Sequence, residues 1–422
     1  MFADITSNSI ANIAAHQMGK KVGVLGDSNT AIAYNIQSSF GNWNLQGWPA
    51  WLRILSKQSL IMSSSNVYAT NGATTSVLIS TWLSTAVAAQ LDIYVVAIGV
   101  NDCQTMSVAT YSANIDTICN ALLSTGAIVV LVTIHPNTVC SAAQFKILNQ
   151  MNNVLRAKAA SNSRILLADP IPYLADMTVT TGAPVSGMLY DTVHYANKGA
   201  YLVAKTIWNV LSSYTPYTDK RFNFPNDVWA NDNVNGNLLT NGMLNGSSGS
   251  VDAGVGLSGV APNNWTFHLG SASGTMAVVG SKVAKNNGEQ GGWFRATFSG
   301  TPVAAKSIYL LQSISYGGGS YSAGDVIEMT AEFRINSGSA GIRGVFAQIS
   351  DASSGSTGEN DGTSSTGHLI YSGDTITGVL KPEPHTIVAS AGSVLCSVII
   401  QTDAAATSGD IDIGPISVRK IT

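Results

Sequence analysis

Over roughly its first half the chain alternates short unbroken apolar runs with longer stretches whose apolar residues recur at three- and four-residue spacing. The runs are 22–26, 67–70, 91–99 (LDIYVVAIG), 127–134 (AIVVLVTI) and 164–168. They are rich in Val and Ile and show no polar alternation, which predicts strands covered on both faces, as in a parallel sheet. Between them the spacing predicts helices over about 48–57, 74–90, 107–124, 142–160 and 196–213. Strand–helix alternation of this kind predicts a doubly wound α/β domain over residues 1–213. In such sheets a ligand site lies at the carboxyl ends of the strands.

The pattern changes near residue 214. The stretch 214–236 holds Pro216, Pro225 and several Asn and Asp without periodicity, and reads as a linker or a packed connecting arm. Beyond it, short runs at 307–311, 325–335, 344–349 and 394–401 are separated by Gly, Ser and Asn. Residues 326–334 (VIEMTAEFR) and 410–419 alternate with a period close to two. This predicts an all-β domain over 237–422, most simply a sandwich. The polar segment 350–367 (SDASSGSTGENDGTSSTG) is expected to be an exposed, mobile loop.

Composition narrows the functional classes. At 422 residues the chain exceeds one ordinary core, in keeping with two domains. Only 11% of residues are charged and the net charge is −3, without any Lys/Arg run, which argues against a nucleic-acid partner. Residues 1–213 contain no Glu at all, so a glycosidase there would need an Asp pair. No apolar stretch reaches the roughly 18 residues of a membrane span. Residues 1–20 lack a basic start and apolar core, so either export does not use a signal peptide or the chain begins after its removal. The cysteines are Cys103, Cys119, Cys140 and Cys396, with no zinc-type spacing, and no metal site or cofactor is expected. Cys103 and Cys140 both follow strand-like runs and could meet; buried thiols are the alternative.

Four short segments carry chemistry. Gly26-Asp27-Ser28-Asn29 follows the first run, Asn71-Gly72-Ala73 the second, and Gly99-Val100-Asn101-Asp102 the third, while Asp191-Thr192-Val193-His194 precedes the last helix. Each alone is an ordinary turn. Together, in order, each at the expected carboxyl edge of the sheet, they supply a nucleophile, a base, an acid and hydrogen-bond donors. A serine hydroxyl needs a neighbouring base to become nucleophilic. His194 is placed to be that base, and Asp191, three residues earlier, can accept its other ring N–H. His194 is expected to open the following helix, and His135, after the run 127–134, is the competing base. Asp27 reads as a turn or cap residue. Trp43, Trp48 and Trp51 read either as core or as lining of a pocket.

This set (GDS, G, GxND, DxxH) resembles the signature blocks of the SGNH, or GDSL-like, hydrolases over about residues 20–213. The resemblance implies a serine esterase with Ser28 as nucleophile and Asp191 and His194 completing the triad. It also implies an oxyanion hole formed by the Ser28 and Gly72 amides and the Asn101 side chain. The first block reads GDSN instead of GDSL, a departure that bears on substrate shape more than on chemistry.

The ends of the second domain, at 237–265 and 410–419, resemble jelly-roll carbohydrate-binding modules, and Trp265, Trp293, Tyr316 and Tyr321 are the candidate sugar platforms. The substrate class this implies is an acetylated polysaccharide, from which O-acetyl or other short acyl groups would be removed. The low-charge, Gly/Ser/Asn/Thr-rich composition resembles phage tail and spike proteins. That likeness implies an extracellular or virion-associated homotrimer acting on a bacterial capsule or O-antigen. The rivals are a lipase or thioesterase acting on free acyl esters, and a non-catalytic tail or adhesin component.

Overall fold

The first apolar run becomes strand β1 (Lys20–Gly26), followed by β2 (Tyr34–Gln37), β3 (Phe40–Asn44), β4 (Leu60–Ile61), β5 (Val67–Ala69), β6 (Ile93–Ala97), β7 (Ile128–Val132) and β8 (Ile165–Ala168). The helices of this half are α1 (Ser28–Ala31), α2 (Trp48–Leu55), α3 (Thr75–Thr81), α4 (Leu83–Ala88), α5 (Asp102–Thr105), α6 (Val108–Leu123), α7 (Ala142–Ser161), α8 (Ile171–Leu174) and α9 (Asn197–Leu211). The structure is a computed structural model. It describes residues 19–37, 40–179, 182–215, 226–252, 256–269, 274–285, 292–315, 320–351, 357–365, 367–388 and 392–421. The chain divides into two units, Met1–Ile32 with Gly47–Lys220, and Ala33–Gln46 with Arg221–Thr422.

The first unit is the expected α/β domain. Its strands are all parallel in the order β4-β1-β6-β7-β8, with β5 beside β1 at its carboxyl end. Val22, Val24, Leu25, Val95, Val129, Val130 and Leu131 are completely buried, which is why these strands read as unbroken apolar runs. Helices flank the sheet near the expected positions, with one difference. The stretch expected as one helix over 74–90 breaks at Trp82, whose indole N–H donates to Thr70 Oγ1 at 2.8 Å. Trp48 and Trp51 are buried in the core, and Trp48 also lines a small cavity with Asp27, Asn29, His135 and Tyr195.

The second unit is a β-sandwich. One sheet runs Leu257–Gly259, Ala277–Ala284, Gly292–Ser299, Gly409–Lys420, Val326–Ile335 and Ile376–Leu380, with His385–Thr386 also paired to Val326–Ile335. The other contains Thr357–Thr363, Ile342–Asp351, Ser393–Thr402, Lys306–Ser315, Thr266–Leu269 and Ser250–Val251 in that order. Phe267 of this sheet meets Phe294 of the other edge-on at 4.9 Å, the kind of contact that fills a sandwich core. Of the stretch 214–236, the described residues from 226 onward form a packed arm, in which Asp227 pairs with Arg419 and the Trp229 amide donates to Asn237.

The larger sheet has a member that chain order conceals. Strands β2 and β3, from residues 33–46 that sequence patterning assigned to the α/β domain, form an antiparallel hairpin on its edge. β3 pairs in parallel with Thr357–Thr363, setting Asn42 opposite Asn360 and Trp43 opposite Asp361. The segment expected as a mobile loop over 350–367 is therefore partly strand; its residues 352–356 and 366 lie outside the described set. Side-chain amides make the pairing specific. Asn360 Nδ2 donates to Asn42 Oδ1 at 2.8 Å, and Gln348 Nε2 donates to Asn360 Oδ1 at 2.9 Å. Trp43 is fully buried and its indole N–H donates to Glu383 at 3.0 Å.

Three of the four aromatic rings expected to face sugar do not face solvent. Trp265, Trp293 and Tyr321 are 1%, 4% and 3% exposed. The Trp265 indole donates to the Asn241 carbonyl and the Tyr321 hydroxyl to the Ile314 carbonyl. Trp293 lies under two cations, Lys285 Nζ at 4.6 Å and the Arg334 guanidinium at 4.9 Å from the ring centroid. Arg334 and Arg295 both bind the fully buried Asp412, so this face of the sheet is closed by its own charges. Tyr316 lies outside the described residues.

A fragment ending at Tyr217 keeps β2 and β3 but removes Thr357–Thr363. Its unpaired edge and uncovered Trp43 are expected to drive self-association. Size-exclusion chromatography and dye binding should show oligomers with exposed apolar surface, whereas a monomeric fragment that binds no dye would remove this role for the pairing.

Candidate active site

Strand β1 ends at Gly26, and the chain turns at once into α1. Asp27 caps that helix, its carboxylate accepting the Asn29 amide at 3.0 Å, and so places Ser28 at the first helical position above the carboxyl end of the sheet. Gly26 is required here because a Cβ would lie 2.2 Å from Thr30 Oγ1 and 2.6 Å from the Ala97 carbonyl oxygen.

The loop before α9 returns to this point. His194 Nε2 lies 2.8 Å from Ser28 Oγ, and His194 Nδ1 lies 2.7 Å from Asp191 Oδ2. The other Asp191 oxygen accepts the amides of Val193 and His194 at 2.8 and 2.7 Å. Partial burial raises the Asp191 pKa, but these hydrogen bonds outweigh it and hold the carboxyl below its usual range. An ionised Asp191 holds the proton on Nδ1 and leaves Nε2 as the base facing the serine. Helix α9 begins only at Asn197, so His194 sits on the preceding turn and does not open the helix as expected.

The two remaining blocks are tied to each other. Residues Thr70 to Ala73 form a tight turn closed by the Ala73 amide on the Thr70 carbonyl, with Gly72 at φ +73° in its third position. That is the type II arrangement, which needs glycine there. No atom lies within 4 Å of where a Gly72 side chain would project, so this side of the turn is open. Asn101 Nδ2 donates to the Ala73 carbonyl at 2.9 Å. The neighbouring Asp102 is wholly buried and accepts the Thr75 amide at 2.9 Å and the Thr75 hydroxyl at 2.5 Å. Asp102 thus fixes the spacing between the Gly72 turn and the Asn101 side chain, a role the motif alone did not disclose.

A second group absent from the sequence reading supports the histidine. Asn29 accepts the Tyr195 amide at 3.1 Å and reaches the Val193 carbonyl at 3.5 Å. His135 Nε2 donates to that same carbonyl at 2.8 Å, while its Nδ1 accepts the Tyr195 hydroxyl at 2.8 Å. Burial pushes the His135 pKa down to about 4, and its two partners fix a neutral tautomer. His135 therefore braces the residues on either side of His194. The asparagine after the nucleophile, the departure from GDSL, is part of this brace.

Cys103 and Cys140 do meet, with sulfurs 3.3 Å apart, but as buried free thiols. Burial raises the Cys103 pKa and keeps this thiol protonated. Among the described residues no cluster of His, Cys, Asp or Glu could hold a metal ion.

Burial raises the Asp27 carboxyl from its ordinary 3.8 to about 6. Between those two values the native state holds a proton that the unfolded chain has released. Stability should therefore fall as pH rises through that window and stay lower above it. Asp27→Asn keeps a carbonyl acceptor for the Asn29 amide and removes the titration. It is expected to be about 1–3 kcal/mol more stable than wild type at pH 8, with the gap closing at pH 4. Denaturant melts at the two pH values check this, and a gap independent of pH would show that Asp27 is not the group responsible.

Residues 24–202 match the GDSL-like Lipase/Acylhydrolase family. No curated protein matches the chain. Among solved structures, a GDSL-like lipase from Bacteroides thetaiotaomicron is 16% identical, with a TM-score of 0.37 over 51% of this chain and 100% of that one. A carbohydrate esterase family 3 protein from Talaromyces cellulolyticus is 16% identical, with a TM-score of 0.35 over 46% of this chain and 97% of that one. A variant of an acetyl-xylooligosaccharide esterase from Geobacillus Stearmophilus is 15% identical, with a TM-score of 0.38 over 49% of this chain and 99% of that one. The family match spans all four blocks, from the end of β1 to α9, and it is to GDSL-like hydrolases that the first unit is similar.

Proposed function

We propose that the first unit is a serine esterase that removes acetyl or other short acyl groups from a polysaccharide through an acyl-enzyme. The observation that carries the reading is the continuous chain Ser28 Oγ, His194 and Asp191, with links of 2.8 and 2.7 Å. In this mechanism His194 Nε2 takes the Ser28 proton as the hydroxyl attacks the ester carbonyl. The Ser28 and Gly72 amides and the Asn101 amide group receive the developing oxyanion, each contributing roughly 3 kcal/mol to the transition state. His194 then gives the proton to the departing alcohol. Water, deprotonated by the same nitrogen, attacks the acyl-enzyme and releases the acid and free Ser28.

The open setting of the triad supports a large polar alcohol and a small acyl group. The His194 and Asp191 side chains are 26% and 38% exposed, which suits a residue of a long polymer better than an enclosed ligand. A rival reading has one feature in its favour. A cleft of about 610 Å³ is lined by Ile134, Phe145, Ile171, Met177 and Val179, and could take a longer acyl chain. Ser28, Asp191 and His194 do not line it, so the short-acyl reading is preferred. A profile of acyl length from acetate to decanoate separates the two, since a rate that climbs with chain length would favour the rival.

Ser28→Ala and His194→Ala are each expected to lower kcat on a small chromogenic acetate at least a thousandfold in a folded protein. Asp191→Asn should be less damaging, because triad members act as a unit. Activity that survives His194→Ala but is lost in His135→Ala would reverse the assignment of the base. Asn101→Ala should lower kcat by roughly a hundredfold with little change in KM, since its amide acts on charge that develops only in the transition state. A variant that mainly raises KM would place Asn101 in ground-state binding. Acetate release from acetylated glycans, measured with wild type and Ser28→Ala side by side, tests the substrate class.

A further inference from the structure

One exposed aromatic ring lies against the proposed catalytic histidine, in the first unit. Tyr190 is 43% exposed and lies parallel to the His194 imidazole, with centroids 5.7 Å apart and planes inclined by 19°. The backbone holds it there. Leu189 pairs with Tyr195 across an antiparallel bridge, and the Tyr190 amide donates to the His194 carbonyl at 3.0 Å. Tyr190 and His194 thus face each other across the turn formed by Asp191, Thr192 and Val193. The ring is oriented before any ligand arrives, so little conformational entropy remains to be lost on binding.

We infer that Tyr190 is the platform for the sugar ring that leaves, and that it sets selectivity for the alcohol half of the ester. The inference rests on the esterase reading above and names the substrate contact it lacks. The two halves of an ester are held by different groups. The carbonyl must sit over Ser28 Oγ, with its oxygen toward the donors from Gly72 and Asn101. The alcohol oxygen must come within about 3 Å of His194 Nε2 to receive the proton. A pyranose attached to that oxygen reaches the phenol ring stacked on the same imidazole. Aromatic rings present a flat apolar face with a polar tip, which fits the C–H face and hydroxyl rim of a sugar. The buried Trp265, Trp293 and Tyr321 offer no such face.

The test varies the alcohol while holding the acyl group constant, then the reverse. Wild type, Tyr190→Ala, Tyr190→Phe and Tyr190→Trp are assayed on a panel of mono-acetylated methyl pyranosides, on ethyl acetate and on ethyl butyrate. Tyr190→Ala should lower kcat/KM on the best pyranoside at least tenfold more than on ethyl acetate, mostly through KM. Tyr190→Phe and Tyr190→Trp should stay within about threefold of wild type on the pyranoside, because the ring face is what binds. The ratio of ethyl acetate to ethyl butyrate should move less than twofold in any variant. Equal losses on pyranoside and ethyl acetate would reduce Tyr190 to a prop for His194 and overturn the proposal. A shift in the acetate-to-butyrate ratio would overturn it too, by placing the ring against the acyl group. Failure of the underlying reading looks different: wild type would hydrolyse ethyl acetate through Ser28 yet release no acetate from any pyranoside, and both proposals would fall.

Discussion

Residues 193–195 return to the end of β1 after crossing the whole α/β unit, and the site exists only because that return is held. Ser28 and His194, and likewise Asn29 and Tyr195, are 166 positions apart. The Val193 carbonyl takes hydrogen bonds from both Asn29 and His135, and Tyr195 completes the ring of partners through its amide and hydroxyl. Each bond contributes only about 1 kcal/mol net. Opening the loop, however, would leave the buried His135, Asn29 and Tyr195 groups without partners, and that penalty is what keeps the geometry single. Since Asn29 stands on α1 and His135 follows β7, the brace cannot form until β1, β6 and β7 are in register. The catalytic geometry therefore depends on the register of these three strands.

How much of this the sequence disclosed depends on whether a signal was local. Unbroken runs such as 127–134 announce a buried parallel strand because both faces must be apolar, and the four blocks announce themselves by falling at strand ends. The brace gave no such signal. His135 beside Pro136 reads equally well as a loop residue, and Asn29 as a variable neighbour of the serine; only the fold brings them to Val193. The aromatic rings misled for a related reason. Trp265, Trp293 and Tyr321 lie among Gly, Ser and Asn, and nothing local says that Asn241, Lys285, Arg334 and Ile314 cover or bind them. The hairpin of β2 and β3 was hidden most completely, because its partner TGENDGT has the composition of a loop and becomes a strand only through Asn42, Asn360 and Gln348.

That amide ladder also shows how a protein with 11% charged residues specifies its contacts. Charges are few and several are spent inside, as with Asp412 between Arg295 and Arg334, and Lys285 with Glu332. Buried pairs of this sort are little screened by salt and hold a register more than they add stability. Neutral amides do the corresponding work at the sheet edge, where geometry decides the partner and ionic strength hardly matters.

The 318 positions between Asn42 and Asn360 have a consequence during synthesis. At about 5–20 residues per second, β3 leaves the ribosome roughly 15–60 s before the strand it pairs with. Over that interval β1 and α2, on either side of the hairpin, can enter the first unit, while β3 waits with an open edge. On a polysome, several nascent chains wait in this condition together. Until its own Thr357–Thr363 emerges, each hairpin carries the unpaired edge that invites pairing with another chain.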